Sequence, residues 1–440
     1  MLQVYVHMVK RSFAIPDKLL YGCWMHDRNL TKGLKMMRVK NSNREAPSRK
    51  QNNIYLLLLF LACLDFAGVG SGLLALLLFL YTAMHIRQMK ISGQAFVLFL
   101  FSLSYFVVCW YHYGFDLTDL LKYFFFPWMA YMFGTAFTRN YESRSPLLVL
   151  IFTISAGLFL RGTLNTFSYR FFHRVDERHA RLAYDFWRQA YVSVTGQGLL
   201  FLIPAATSIG MLFSKKKKWV VAACFMLATS IYYSLLQAHR TLFSIIMIMM
   251  VGALLYLLIS AKIATKKKLE IVAAAAVLLL LCVIVWNFDI AGARSLCTST
   301  RIYRRLANGD IQSAGGRVHI WKSFFDSWLQ YPFGGKKIEL YRNHGYVHNF
   351  WLDIYRVAGI LPFVFSMIVT VNELVIRRRY ERIGGDTCTM IIVKCVSIAI
   401  LLGFMVEPVY IANPYVFYYH LVIQGGILGT ICREEMGAEQ

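Results

Sequence analysis

Acidic side chains are scarce in this chain: 23 Asp and Glu stand against 47 Lys and Arg, a formal charge of +24. Charges of either sign make up only 16% of its 440 residues, while 58% are hydrophobic and the mean hydropathy is +0.49. That balance excludes an ordinary soluble protein of this length. The nine cysteines lack paired or metal-type spacing. Cys63, Cys109, Cys224, Cys282 and Cys395 lie in apolar runs and only Cys297 reads as external, which argues against a disulfide framework. No cleavable signal peptide is expected, because the first 50 residues are polar and basic. The chain also lacks a Ser-His-Asp pattern, a glycine-rich phosphate loop and a prominent pair of carboxylates. The surplus of base lies between apolar runs, so it reads as membrane topology rather than as a nucleic-acid surface.

What is present is a series of apolar runs near the roughly 20 residues a helix needs to cross a bilayer. The expected spans are 54–67, 70–86, 95–112, 121–138, 146–163, 192–213, 219–237, 240–260, 269–288, 355–376, 390–406 and 411–431. Asp65 and the Gly68–Gly72 run interrupt the first apolar stretch, which reads as one bent helix or a hairpin. The dense basic loops Lys215–Lys218, Lys262–Lys268 and Arg377–Arg382 belong in the cytoplasm, and an even number of spans separates each neighbouring pair. Counting back puts Arg87–Lys90 and the basic tail on that side too, and this parity selects the hairpin. The expected class is an all-α polytopic membrane protein of about twelve helices with both termini cytoplasmic. Residues 1–53 form a basic cytoplasmic tail, irregular near Asn41–Gln51 and close to anionic lipid. Residues 54–288 form spans one to nine, 289–354 a large extracytoplasmic loop, and 355–440 the last three spans and the C-terminus. Asp65, Lys394 and Glu407 count as the few intramembrane charges. With no sequence repeat between the halves, this pattern disfavours the alternative of a glycolipid flippase or other transporter.

The large loop carries the chemistry. From Ala314 to Gly359 it holds Arg317, Arg342, His344, His348 and a Pro-Phe-Gly-Gly turn at Pro332–Gly335. Short helices are expected near Arg317–Leu329 and His348–Ala358, with the loop capping the bundle. A second external segment, Asn165–Tyr191, carries Arg170, Arg174, Arg178, Arg181 and Arg188 against Asp176, Glu177 and Asp185. The first three are four apart and share a face if helical. Any one of these arginines alone reads as surface charge; together they suit an anion, since the guanidinium fork donates two hydrogen bonds to a phosphate. Arg240 sits at the outer boundary between two apolar runs, where it either snorkels or faces a polar cavity. His348 is either a structural hydrogen-bonding residue or a base that takes a proton near neutral pH. His344 lies four residues earlier, but Gly345 between them and the lack of acidic or Cys ligands argue against a metal.

In order and spacing these residues resemble the O-antigen ligase and polysaccharide polymerase family, over about Ser234 to Ile360. The matching positions are His239-Arg240 opening a helix, Gly316-Arg317 opening another, Trp321, the Pro332–Gly335 turn, and His348-Asn349 followed by nine residues and Gly359. Pro362 departs from the residue types the family often carries there. The resemblance implies a type C glycosyltransferase of the bacterial cell (inner) membrane. Its expected function is polymerisation of undecaprenyl-diphosphate-linked oligosaccharide repeat units for capsule, exopolysaccharide or O-antigen. The alternative is a ligase that moves glycan from the same carrier to another acceptor. His348, Arg317 and Arg240 would be catalytic; Arg170, Arg174, Arg178, Arg342, His344 and Asn349 would bind substrate. No cofactor or metal is called for. The implied partners are the lipid-linked oligosaccharide, membrane lipid, a flippase and a chain-length regulator, and no nucleic acid. Guanidinium groups at the leaving diphosphate stabilise charge that grows in the transition state. The attacking sugar hydroxyl needs a base, which suits His348.

Overall fold

In the computed structural model, the residues described are 49–86, 89, 91–114, 116–141, 145–172, 183–237, 239–259, 265–292, 294–295, 298, 303, 307, 316–384 and 387–438. The basic tail at 1–48, with Arg174, Arg178, Arg181 and most of 293–315, lies outside them. The first described helix begins at Arg49, within the stretch expected to be irregular. The first pair of helices is α1 (Arg49–Leu64) and α2 (Gly70–His85). Between them Asp65 takes a left-handed conformation, φ 54°, and its Oδ1 accepts from the Gly70 N–H at 2.8 Å. Tyr55 packs on Tyr81 and lies 3.4 Å from His85, so the two helices run antiparallel as the hairpin that charge parity selects.

Next come α3 (Gly93–Tyr113), α4 (Phe126–Asn140) and α5 (Pro146–Phe172). A π-helical turn at Leu120–Phe125 leads into α4, and the Tyr418 hydroxyl donates to the Lys122 carbonyl within that turn. The helix α5 runs about nine residues beyond the expected span. Asn165, Thr166 and Ser168 look like loop residues but are buried, and Asn165 Nδ2 donates to Gln197 Oε1 at 3.1 Å. A two-stranded antiparallel ribbon pairs Ala183–Tyr184 with Tyr191–Val192. Two short helices, α6 (Val194–Leu200) and α7 (Leu202–Met211), make one broken rod. They are followed by α8 (Lys217–Leu236), α9 (Arg240–Ile259) and α10 (Thr265–Asn287).

The large loop contributes α11 (Arg317–Ser327) and α12 (Phe350–Ala358), near the two positions the sequence suggests. Then come α13 (Ile360–Ile383), α14 (Thr387–Val406) and α15 (Pro414–Ala438). The expected span at 355–376 is thus α13, starting five residues later, because Gly359 breaks the chain between α12 and α13. The basic run Arg377–Arg382 is the end of α13 rather than a loop. There Arg379 grips Glu435 of α15 through both carboxylate oxygens, at 2.6 Å each.

Eight helices among the described residues are long and apolar enough to cross a membrane, and α1 and α2 are apolar but shorter. The molecule is therefore an all-α polytopic membrane protein. Its tightest pair is α4 against α15. A Cβ on Gly134 would strike the Val422 carbonyl, and one on Gly425 would strike that of Tyr131, so glycine lets the backbones touch. Such contact supplies packing that lipid cannot, since apolar burial gives helices no advantage inside hydrocarbon.

The loop caps this bundle with a small core of its own: Ile320, Phe324, Ile338, Leu340, Val347 and Tyr355. The Pro332–Gly335 turn docks on the α12–α13 junction. The Ile360 N–H donates to the Pro332 carbonyl at 2.8 Å, and that of Gly335 to Val357 at 3.0 Å. Gly359 has φ 80°, and a Cβ there would strike the Pro332 carbonyl. The two glycine-bearing pieces of the sequence pattern are thus one contact.

Candidate functional site

The site is built at the end of the bundle where the loop docks. His348 occupies the bend that precedes α12, with a left-handed φ of 59°. A non-glycine residue held there stores local strain, and the surroundings show what holds it. Asp353, one turn into α12, reaches back with both oxygens. Oδ1 accepts from the Val347 N–H at 2.7 Å and Oδ2 from the Asn349 N–H at 3.1 Å, one on each side of His348. Trp321 of α11 donates its indole N–H to the Val347 carbonyl at 2.9 Å. Burial pushes the Asp353 carboxyl up to about 6, although the two N–H donors, His348 and Arg356 pull it down.

Glu407 faces His348. It follows the last turn of α14, is 3% exposed, and joins groups far apart in sequence. Its Oε1 lies 3.1 Å from a terminal nitrogen of Arg317, at the start of α11. Its Oε2 lies 3.8 Å from Nδ1 of His348, beyond hydrogen-bond length, and neither of those two atoms has another hydrogen-bond partner among the described residues. Burial raises the Glu407 carboxyl, but His348, Arg317, His239 and Thr241 outweigh it and leave it below its ordinary value. Glu407 is thus a carboxylate surrounded by donors. The His348 side chain remains 22% exposed and that of Arg317 30%, so both can meet a ligand from outside.

The His239–Thr241 segment completes the cluster. His239 is buried, and its Nδ1 caps α9 by accepting from the Leu242 N–H at 3.0 Å. Its ring fills the space above Gly198, where any Cβ would strike it. Burial lowers its proton affinity; Glu407 opposes this and Arg317 adds to it. Arg240 itself is exposed at the head of α9 and makes no hydrogen bond or ion pair among the described residues. The fold therefore brings together Arg317, His348 and Glu407 directly, and Arg240 only through its two neighbours.

The remaining expected site residues divide. His344 is exposed, its ring 6.2 Å from that of His348. Arg342 is exposed and lies over the Tyr341 ring at 5.2 Å. Asn349 is committed to the fold: Oδ1 caps α12 through Leu352 and Nδ2 donates to the Met405 carbonyl at 3.1 Å. The group beside Nδ1 of His348 is Glu407, not Asn349. Arg170 lies in the last turn of α5, and Arg174 and Arg178 lie outside the described residues. Arg188 does not wait for an anion. With Arg161 it clasps Asp65 at 2.8 and 2.6 Å, and Arg161 also reaches Asp185. Asp65 is therefore a turn residue in an ion-pair network, not an isolated charge within a span. Lys394 is likewise paired, with Glu381 at 3.5 Å.

Sequence reasoning missed Glu407 as a site residue and read it only as one of a few intramembrane charges. The available signal was an acid just past the end of an expected span, directly before Pro408. The chain matches no family model and no curated protein.

Proposed function

We propose that this protein is a membrane glycosyltransferase that polymerises undecaprenyl-diphosphate-linked oligosaccharide repeat units with inversion at the anomeric carbon. The observation that carries this reading is the meeting of Arg317, His348 and Glu407 at one end of the bundle, beside the segment that holds Arg240. The order of these residues in sequence, which resembles the O-antigen ligase and polymerase family, adds to it. The reading includes twelve crossings in a bacterial inner membrane, cytoplasmic termini and an external site.

Arg317 has guanidinium nitrogens beyond the one on Glu407, and Arg240 is exposed with no partner among the described residues. Both suit a diphosphate that gains charge as the glycosidic bond breaks. Glu407 beside Nδ1 favours the tautomer with the proton on that nitrogen, which leaves Nε2 of His348 as the base. Nε2 takes the proton of the acceptor hydroxyl as its oxygen bonds to the anomeric carbon, and the lipid diphosphate leaves from the opposite face. The 3.8 Å gap between Glu407 and His348 closes as positive charge develops on the ring. The test is an assay of the purified protein with lipid-linked repeat unit as the sole substrate. Elongation supports polymerisation; a requirement for a different acceptor makes the protein a ligase.

A further inference from the structure

A second pair of ionisable groups lies inside the bundle, away from the candidate site. Glu373 is on α13, thirteen residues or about 20 Å along the helix from Ile360. His420 is on α15, and its Nε2 lies 3.1 Å from Glu373 Oε2. The His420 side chain is fully buried and that of Glu373 is 4% exposed. Glu373 Oε1 and His420 Nδ1 have no hydrogen-bond partner among the described residues. Tyr131 of α4 interacts electrostatically with Glu373, and Phe101 of α3 and Phe404 of α14 line the small space beside it; the Phe404 ring also meets that of His420 at 5.4 Å. Arg377, one turn further along α13, turns to Glu381 at 3.8 Å. Ionisable residues buried within a span are costly and mark proton or ion sites.

We propose that Glu373 and His420 form a proton-binding site inside the membrane: the Glu373 carboxyl keeps one proton and donates it to His420 Nε2, so the pair is neutral. Without the shared proton, a carboxylate stays buried with one oxygen bare. With a second proton, the pair carries net positive charge in the same place. Both states bear the desolvation cost of a buried ion, whereas the one-proton state is neutral. Of its two arrangements, carboxylic acid with neutral imidazole leaves only uncharged atoms unpartnered. Carboxylate with imidazolium would leave charged ones so.

The bound proton ties α13 to α15. One of these helices follows the His348 segment and the other follows the Glu407–Asn413 segment, so the pair fastens the elements that carry both halves of the candidate site. Release passes the proton to water or hydroxide and leaves a buried carboxylate, which weakens that fastening. None of this depends on the glycosyl-transfer reading.

Infrared spectroscopy of the purified full-length protein tests it, with wild type compared with Glu373→Gln and His420→Gln near neutral pH. The expected wild-type spectrum holds a protonated-carboxyl C=O band that disappears in Glu373→Gln and shifts in His420→Gln. Glu373→Gln is also expected to fold, because the amide N–H donates to Nε2 as the acid does. A difference confined to the carboxylate bands, an unshifted C=O band in His420→Gln, or failure of Glu373→Gln to fold would each overturn the proposal.

Discussion

At the scale of single residues, Glu407, Asp353 and Arg317 divide the duties of the site. Arg317 has its charge partly answered by Glu407, so what it offers a ligand is the geometry of its remaining N–H groups. Arg317→Lys keeps the charge and loses the fork. Turnover is expected to fall by at least about tenfold, the factor for 1.4 kcal/mol, with expression unchanged. Wild-type turnover in steady-state kinetics of Arg317→Lys would count against the role. Asp353 makes a prediction about pH. Its carboxyl holds a proton more tightly in the folded state than in the unfolded one, at about 6 against an ordinary 3.8. Its contribution to stability is therefore fully present below the ordinary value and lost as pH rises through about 6. The size is about 3 kcal/mol, from 1.36 kcal/mol for each of two pH units. Denaturation of the wild type followed from pH 4 to 7 should show that loss, and Asp353→Asn should remove it.

At the scale of elements, apolar runs and basic punctuation placed the helices well. Each expected span has helix within it, and the hairpin followed from parity. The misplacements share a cause: polar residues in a membrane bundle are easily taken for loop. Asn165 and Thr166 are buried near Gln197, which lengthens α5, and Arg377 and Arg379 extend α13 because Glu381 and Glu435 receive them. Gly359 was legible as part of a pattern but not as a contact. Its reason is the Pro332 carbonyl, 27 positions away (359 − 332), which spacing alone does not reveal. Gly359→Ala adds a Cβ at φ 80° against that carbonyl. It is expected to undock the Pro332–Gly335 turn while leaving the spans inserted. Limited proteolysis should then cut the loop near the turn faster than in wild type; an unchanged pattern would contradict this docking.

At the scale of the whole molecule, the site was legible in part. Arg317 and His348 stand out in sequence because they lie in a polar loop between apolar runs. Glu407 does not, because the residues that give it meaning are 90 and 59 positions earlier (407 − 317; 407 − 348) and only the fold gathers them. Arg188 shows the converse: an arginine that reads as an anion site is consumed by Asp65, 123 positions away. The proposed topology is open to direct test. Cysteines placed at Ser313 and at Thr265 in a cysteine-free background should label from opposite sides of the membrane, Ser313 from outside. Labelling of both from one side rejects the arrangement.

The central claim is that His348 removes the acceptor proton in an inverting transfer from a lipid diphosphate. The most direct measurement is the rate of chain elongation by purified, reconstituted wild type and His348→Gln, each given lipid-linked repeat unit alone. Gln keeps hydrogen bonding but cannot take the proton, so the variant should fold, still bind the donor and lose roughly two to four powers of ten in rate. The wild-type product should carry the inverted configuration at each new linkage. Near-normal elongation by a stably folded His348→Gln, or retained configuration in the wild-type product, would contradict the account.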